Sequence, residues 1–115
     1  MGILDLFRSK QKVDLDQLVL VQLRKSGSNF LKPHNIEFFL YFPTQSVAEN
    51  ASLNVRDAGF EVEVRKAAQS DSWLCFARKT MIPALTDLQR IRQNFVTLAD
   101  SMNGEYDGWG TQVVK

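Results

Sequence analysis

The stretch NIEFFLYFP, residues 35–43, decides the fold of this protein. Every second residue from Ile36 to Phe42 is apolar, and this period of two is typical of a β-strand that Pro43 ends. The opposite face of the strand is only half polar, because Phe39 and Tyr41 share it with residues 35 and 37. A strand that is apolar on most of both faces is expected in the middle of its sheet.

Before this strand in the chain, a helix is predicted over residues 14–25. Asp14 is placed to cap it, with Gln17 three residues further on. The apolar stripe expected for this helix consists of Leu15, Leu18, Val19, Val21 and Leu23.

After Pro43, the chain is predicted to form a helix, two strands, a second helix and a last extended segment. A helix capped by Thr44 or Ser46 extends to Gly59, and a strand follows from Phe60. A third strand spans residues 73–79, where an outward Arg78 would place Trp73, Cys75 and Ala77 in the core. The longest helix runs from Pro83, expected in its first turn, to Gly104, and residues 105–114 form a last extended segment.

The predicted fold class is therefore α+β. The order strand, helix, strand, strand, helix, strand gives a ferredoxin-like βαββαβ plait, a four-stranded antiparallel sheet with two helices on one face. An N-terminal helix is added to it. We assign residues 1–33 to the N-terminal segment and helix, and residues 34–115 to the ferredoxin-like domain.

Composition excludes several classes of protein. The chain has 115 residues, a formal net charge of +1, one cysteine and one histidine. A near-neutral chain generates no strong overall field for nucleic acid, and no apolar run is long enough to cross a membrane. We expect a cytoplasmic protein, since the start resembles no signal peptide. Residues 1–13 form either a membrane-surface anchor or a mobile start.

No catalytic constellation is evident from the sequence. His34 has no nucleophile or carboxylate near it in the chain, so we expect an ordinary surface or capping histidine. Cys75 lies between Leu74 and Phe76, and such apolar surroundings leave a thiol inert. We predict no enzyme activity, no cofactor and no metal site.

The sheet side away from the two helices is the candidate binding surface. Phe39 and Tyr41 would lie there with Glu37, Glu61 and Glu63, which gives apolar anchors an acidic rim suited to a basic, flexible protein segment. An alternative is an RNA-binding or adaptor module that stacks bases on the aromatic residues, although the carboxylates would repel phosphate. A further alternative is that the helix over residues 14–25 covers this side.

The run Gly104-Glu105-Tyr106-Asp107-Gly108-Trp109-Gly110 adds a family resemblance. Together with Phe60-Glu61-Val62, Trp73, Ala77-Arg78, Met81-Ile82-Pro83, Arg92 and Leu98-Ala99, it resembles the regulator of ribonuclease activity B family, the ribonuclease E inhibitors of bacteria. The resemblance covers roughly residues 34–114. It implies a ferredoxin-like fold and a non-catalytic protein that binds the scaffold region of ribonuclease E and modulates RNA degradation. Asp107 and Trp109 are candidate partner contacts, and the alternative is a structural role for this run.

Overall fold

The computed structural model of the chain describes residues 14–115. The two interpretations of residues 1–13 lie outside the described residues. The elements are α1 (Leu15–Lys25), β1 (His34–Phe42), α2 (Gln45–Asp57), β2 (Glu61–Lys66), β3 (Trp73–Met81), α3 (Leu85–Ser101) and β4 (Glu105–Gly110). The predicted order of helices and strands is confirmed.

The four strands form one antiparallel sheet in the spatial order β2-β3-β1-β4. The protein is thus an α+β protein with three described helices. As predicted, β1 lies inside the sheet, between β3 and β4. Its largely apolar side chains fit this place, because the side chains of an inner strand have those of a neighbouring strand on each side.

The first two helices begin after residues that the sequence predicted as N-terminal caps, whereas the third begins two residues later than predicted. The Asp14 carboxylate accepts a hydrogen bond from the backbone N–H of Gln17 at 3.1 Å. Of the two candidate caps of α2, Thr44 is the one used, and its hydroxyl accepts from the N–H of Val47. The prediction for Pro83 was wrong, because α3 is capped at Ala84 and Pro83 precedes that residue.

The core lies between one side of the sheet and the helices α2 and α3. Ile36, Phe38, Leu40 and Phe42 are all at most 1% exposed and share a single apolar cluster with residues of both helices. On β3, Cys75 and Ala77 are fully buried on this side, whereas Arg78 is only partly buried on the other, so the strand has the orientation with an outward Arg78, which the sequence had left open. Both helices therefore cover the same face of the sheet.

Helix α1 buries a different side from the one that its sequence suggested. Asp16, Leu20 and Leu23 are buried, whereas Leu15, Leu18 and Val21 are exposed. The predicted stripe was wrong for Leu15, Leu18 and Val21, whereas Leu23 is buried and Val19 packs against the core. Apolar residues surround most of this helix, so periodicity does not single out one face. Contacts from distant parts of the chain decide the orientation, as described below.

Candidate protein-docking surface

The side of the sheet opposite α2 and α3 is referred to as the open face. None of the three described helices covers it, since α1 packs against α3 and its buried residues belong to the core. The interpretation that the first helix covers this side was therefore wrong. The residues of the open face are Asn35, Glu37, Phe39 and Tyr41 of β1, Glu61, Glu63 and Arg65 of β2, Leu74, Phe76, Arg78 and Thr80 of β3, and Glu105 and Asp107 of β4.

The strand register arranges these side chains in rows across the sheet. Residues paired across strands point to the same face, so each row is a line of neighbours. The three rows are Glu61, Arg78 and Glu37, then Glu63, Phe76 and Phe39, then Arg65, Leu74, Tyr41 and Glu105. The apolar residues thus lie together in the second and third rows, with charged residues at the margins.

Two aromatic residues form the accessible centre of the open face. The ring centroids of Phe39 and Phe76 are 5.4 Å apart. Phe76 is only 7% exposed, because the guanidinium groups of Arg65 and Arg78 lie over its ring at 4.6 and 5.6 Å from the centroid. Phe39 and Tyr41 stay half-buried, so their rings form the accessible aromatic surface of the open face.

The charge of the open face is negative, although the whole chain is nearly neutral. Its five carboxylates outnumber its two guanidinium groups, which leaves an excess of three negative charges. The ion pairs within it, Arg78 with Glu61 at 3.6 Å and Arg65 with Glu63 at 4.0 Å, join exposed side chains. Exposed pairs of this kind contribute little to stability, and their charges are available to a partner.

A groove extends the open face at one end. It has a volume of about 480 Å³ and is lined by Tyr41, Glu105 and Asp107 together with the loop between β2 and β3. Glu105 and Asp107 are exposed. The groove thus combines two carboxylates with the ring of Tyr41.

Six of the seven residues proposed from the sequence come together here: Glu37, Phe39, Tyr41, Glu61, Glu63 and Asp107. Trp109 does not, because it is 8% exposed and lies in the core cluster on the other side of the sheet. The register places Trp109 opposite Phe38, whose side chain points to the helices. The structure thus gives Trp109 a packing role.

Trp109 takes part in a buried polar cluster that sequence reasoning missed. Its indole N–H donates to Asp16 Oδ1 at 2.9 Å. The same carboxylate, fully buried, accepts from Arg92 Nε and Nη2 at 2.9 and 3.0 Å. Pairing with Asp16 raises the pKa of Arg92. A single carboxylate thereby joins α1, α3 and β4. The signal in the sequence was an acidic residue, Asp16, among the apolar residues of α1.

His34 is fully buried, so the expectation of a surface or capping residue was wrong. Its Nδ1 lies 2.9 Å from the carbonyl oxygen of Lys32, and its Nε2 lies 2.6 Å from Ser28 Oγ. The imidazole is thus hydrogen-bonded through both of its nitrogens, to a backbone carbonyl and to the Ser28 hydroxyl. The same hydroxyl accepts from the backbone N–H of Val114 at 3.0 Å. Hydrogen bonds of Ser28 with His34 and with Val114 thus connect the C-terminal residues to the segment before β1.

Two further side chains with titratable groups, Cys75 and Tyr106, lie in the core or pack against it. Burial raises the pKa of the Cys75 thiol to about 11 and also raises the pKa of the Tyr106 phenol. Within residues 14–115, no group of three or more His, Cys, Asp or Glu side chains is arranged to hold a metal ion. In the same part of the chain, no helix combines the length and the apolar content needed to cross a membrane.

Fold and surface define a small α+β protein whose four-stranded antiparallel sheet is open, acidic and aromatic on one side. The chain belongs to the regulator of ribonuclease activity B family, whose sequence pattern matches residues 14–111. A relative from Pseudoalteromonas atlantica described as "Regulator of ribonuclease activity B" is 29% identical over an alignment of 106 residues, which covers 89% of this chain and 91% of the relative. The resemblance noted in the sequence is confirmed, and the match also includes α1. Membership implies regulation of ribonuclease activity.

Proposed function

We propose that this protein is a non-catalytic regulator that docks its open face on a basic, flexible segment of a ribonuclease. The scaffold region of ribonuclease E, in the bacterial cytoplasm, is the partner that the family resemblance suggests. One observation carries the proposal: an excess of negative charge surrounds two accessible aromatic anchors on a surface that the described helices leave free. No cofactor or metal enters this function.

The contact would combine burial of apolar area with charge complementarity. Phe39 and Tyr41 supply ring faces on which arginine or lysine side chains of the partner can pack. Carboxylates at both ends of β1, Glu37 at one end and Glu105 with Asp107 at the other, can pair with the charges of those side chains. A flexible segment suits the flat sheet, because an extended chain can follow it without a deep pocket.

Direct RNA binding is the alternative that the aromatic residues raise, and the charges argue against it. Single-stranded RNA needs cationic groups along its phosphates beside the stacking rings. Here Arg65 and Arg78 are placed over Phe76, and five carboxylates lie among or beside the rings. The surface therefore fits a basic polypeptide better than a polyanion.

The experiment is a binding titration between the full chain and a purified basic fragment of the ribonuclease E scaffold region. The double substitution Glu61→Lys and Glu63→Lys reverses two charges on the open face. We expect it to weaken binding at least tenfold, because basic side chains then face each other across the interface. A parallel ribonuclease assay should show loss of regulation by the same variant.

A matched control makes the same change of net charge on the other side of the protein. Glu49→Lys and Asp57→Lys alter two exposed residues of α2, far from the open face, and should leave affinity unchanged. If both double variants weaken binding of the fragment equally, the cause is the overall charge of the protein, and the open face is not the docking site. Binding of single-stranded RNA at low salt, without binding of the fragment, would favour the RNA alternative.

We further infer that the domain over residues 34–115 is a ferredoxin-like plait. The element order βαββαβ and the spatial order β2-β3-β1-β4 support this assignment, as does the location of α2 and α3 on one face. The plait matters for function because it leaves the second face of the sheet free for docking.

A further inference from the structure

The groove at the end of the open face has two carboxylates beside an aromatic ring. It measures about 480 Å³, and its lining includes Tyr41, Glu105 and Asp107. The two carboxylates lie two residues apart on β4 and are exposed, and Glu105 is paired with Tyr41 across the sheet. Among residues 14–115, neither carboxylate forms an ion pair, and no cationic group lies over the Tyr41 ring. The ring and both charges are therefore open to a cation from outside.

On the other half of the open face, the carboxylates are already paired with arginines. Arg78 pairs with Glu61 at 3.6 Å and lies over the ring of Phe76, 5.6 Å from its centroid. Arg65 pairs with Glu63 at 4.0 Å and lies 4.6 Å from the centroid of the same ring. Each of these arginines thus contacts a carboxylate and an aromatic ring at the same time.

A third arginine makes the same two contacts in the buried polar cluster. Arg92 donates two hydrogen bonds to Asp16, and its guanidinium lies 5.4 Å from the centroid of the Tyr106 ring. A planar guanidinium suits such a place, because its N–H groups bind carboxylate oxygens in a fixed fork while its face packs on the ring. A lysine ammonium has neither the flat face nor the fork. The chain itself therefore shows that arginine is the cation for a ring with a neighbouring carboxylate.

We propose that the groove binds one arginine side chain of the partner protein. Its guanidinium packs on the ring of Tyr41, and its N–H groups donate to the carboxylates of Glu105 and Asp107. The partner thereby supplies the cation that Arg65 and Arg78 supply within the other half of the open face. The inference rests on the proposed function, in which a basic polypeptide docks on this face, and it adds a preference for arginine over lysine at one position.

Nuclear magnetic resonance of the isotope-labelled full chain tests the groove without the ribonuclease. The probe is the peptide acetyl-Gly-Arg-Gly-amide, compared with peptides that carry lysine or uncharged citrulline in place of the arginine. We expect saturable shifts of the amide signals of residues 67–72, Glu105 and Asp107, with a dissociation constant on the order of a few millimolar, since one side chain makes few contacts. The lysine peptide should bind about fivefold more weakly or worse, and the citrulline peptide should give no saturable shift.

Variants of the groove test the individual contacts. Glu105→Gln with Asp107→Asn keeps the shape of both side chains and removes their charges, and should weaken binding of the arginine peptide about tenfold or more. Tyr41→Leu keeps an apolar side chain without a ring and should reduce the preference for arginine over lysine. Glu49→Gln with Asp57→Asn is the matched control. It makes the same change of net charge at exposed residues of α2 and should leave peptide binding unchanged.

Shifts that do not saturate, or that lie elsewhere on the protein, would overturn the inference. So would equal affinity for the arginine and lysine peptides, or a charge-neutralised groove that binds like wild type.

The basic ribonuclease fragment separates this inference from the proposed function. With its arginines replaced by lysine, the fragment keeps its charge and should bind about fivefold more weakly or worse. If the original fragment binds the open face and this replacement costs nothing, the inference fails and the proposed function stands. If the arginine peptide binds in the groove and the fragment does not bind at all, the proposed function fails and the groove is an arginine site for a different partner.

Discussion

The carboxylate of Asp16, in the first helix, accepts a hydrogen bond from the indole N–H of Trp109, in the last strand, at 2.9 Å. The two residues are 93 positions apart in the chain. Arg92 completes the contact from α3 with two further hydrogen bonds to the same carboxylate. This cluster fixes which side of α1 faces the core, and therefore which side is left outside.

Removing the Asp16 carboxylate should destabilise the fold strongly. We expect Asp16→Ala to lower the free energy of unfolding by about 3 kcal/mol, because Arg92 is left without its anion and Trp109 without its acceptor. Asp16→Asn keeps an oxygen but no charge and should lie between wild type and alanine. Urea denaturation measures both. Asp100→Ala, exposed on α3, should stay within about 0.5 kcal/mol of wild type.

Gly104→Ala should be destabilising by overpacking. A Cβ atom at Gly104 would lie 2.6 Å from the backbone oxygen of Tyr41, and that oxygen belongs to the central strand and cannot move aside cheaply. We expect a loss of about 2 kcal/mol or more in thermal or urea unfolding. Gly110→Ala is the matched control, since no atom lies within 4 Å of its added Cβ. A neutral Gly104→Ala variant would contradict the close approach at the start of β4.

The aromatic anchors of the open face should matter for the proposed docking more than for folding. Phe39→Ala and Tyr41→Ala are each expected to weaken binding of the ribonuclease fragment by about tenfold or more, since central aromatic residues dominate binding energy. Calorimetric titration with unchanged circular dichroism would show this. Leu53→Ala removes an exposed apolar side chain on α2 and should bind normally. Unchanged affinity in both aromatic variants would move the docking site away from β1.

Ser28→Ala should disturb the buried histidine. The substitution leaves His34 Nε2 without its hydrogen-bond partner and the N–H of Val114 without its acceptor. We expect a loss of about 2 kcal/mol in unfolding free energy, typical of unpaired buried polar groups. Ser101→Ala removes an exposed hydroxyl that donates to the carbonyl of Leu98, and it should cost clearly less. Equal effects of the two variants would contradict the structural role of the pair.

The Cys75 thiol should react slowly in the folded protein. With its pKa raised by burial from 9.0 to about 11, its thiolate fraction near pH 8 is about one hundredfold lower than that of an ordinary thiol. A disulfide reagent such as dithionitrobenzoate should modify the chain rapidly only in denaturant. Fast modification of the native protein would show that the thiol is accessible.

The same raised pKa predicts a fall in stability at alkaline pH. The unfolded chain releases the thiol proton near its ordinary pKa, whereas the folded chain keeps it until about pH 11. The free energy of unfolding should therefore fall as the pH rises from about 9 to 11, by at most about 3 kcal/mol. The raised pKa of Tyr106 acts in the same direction. In Cys75→Ala the decline should be smaller but still present.

Much of the sheet could be predicted because its signal is local. The alternation from Ile36 to Phe42 defines both faces of the central strand, whereas the facing of β3 stayed open in the sequence and is set by its pairing with β1. Side chains alternate between faces at every residue of a strand, so one assignment fixes all others in that strand. From this rule, five residues of the open face followed, among them Glu61 and Glu63 on β2.

Which residues lie side by side on the open face depended on the register between strands. Alternation already places Arg65 on the same face as Glu61 and Glu63, but only hydrogen bonding sets Phe76 beside Phe39 and Glu105 beside Tyr41. Periodicity within one segment carries no information about which residue of a second segment lies opposite. The stacking of two arginines on Phe76 could not be foreseen for the same reason.

The amino-acid sequence by itself determined the order of helices and strands, the central place of β1 and the apolar side of the sheet, because these depend on the period of side chains along single segments. Only the tertiary structure decided that Trp109 and His34 are buried, and that Leu18 and Val21 are exposed. Trp109 bonds to the remote Asp16, His34 is paired with Ser28, which also binds the remote Val114, and the first helix is apolar on several sides. The local pattern of a segment can permit several orientations. Hydrogen bonds to a buried carboxylate or imidazole then select one of them. The reason is that leaving such a group unpaired costs more free energy than leaving an apolar side chain in water.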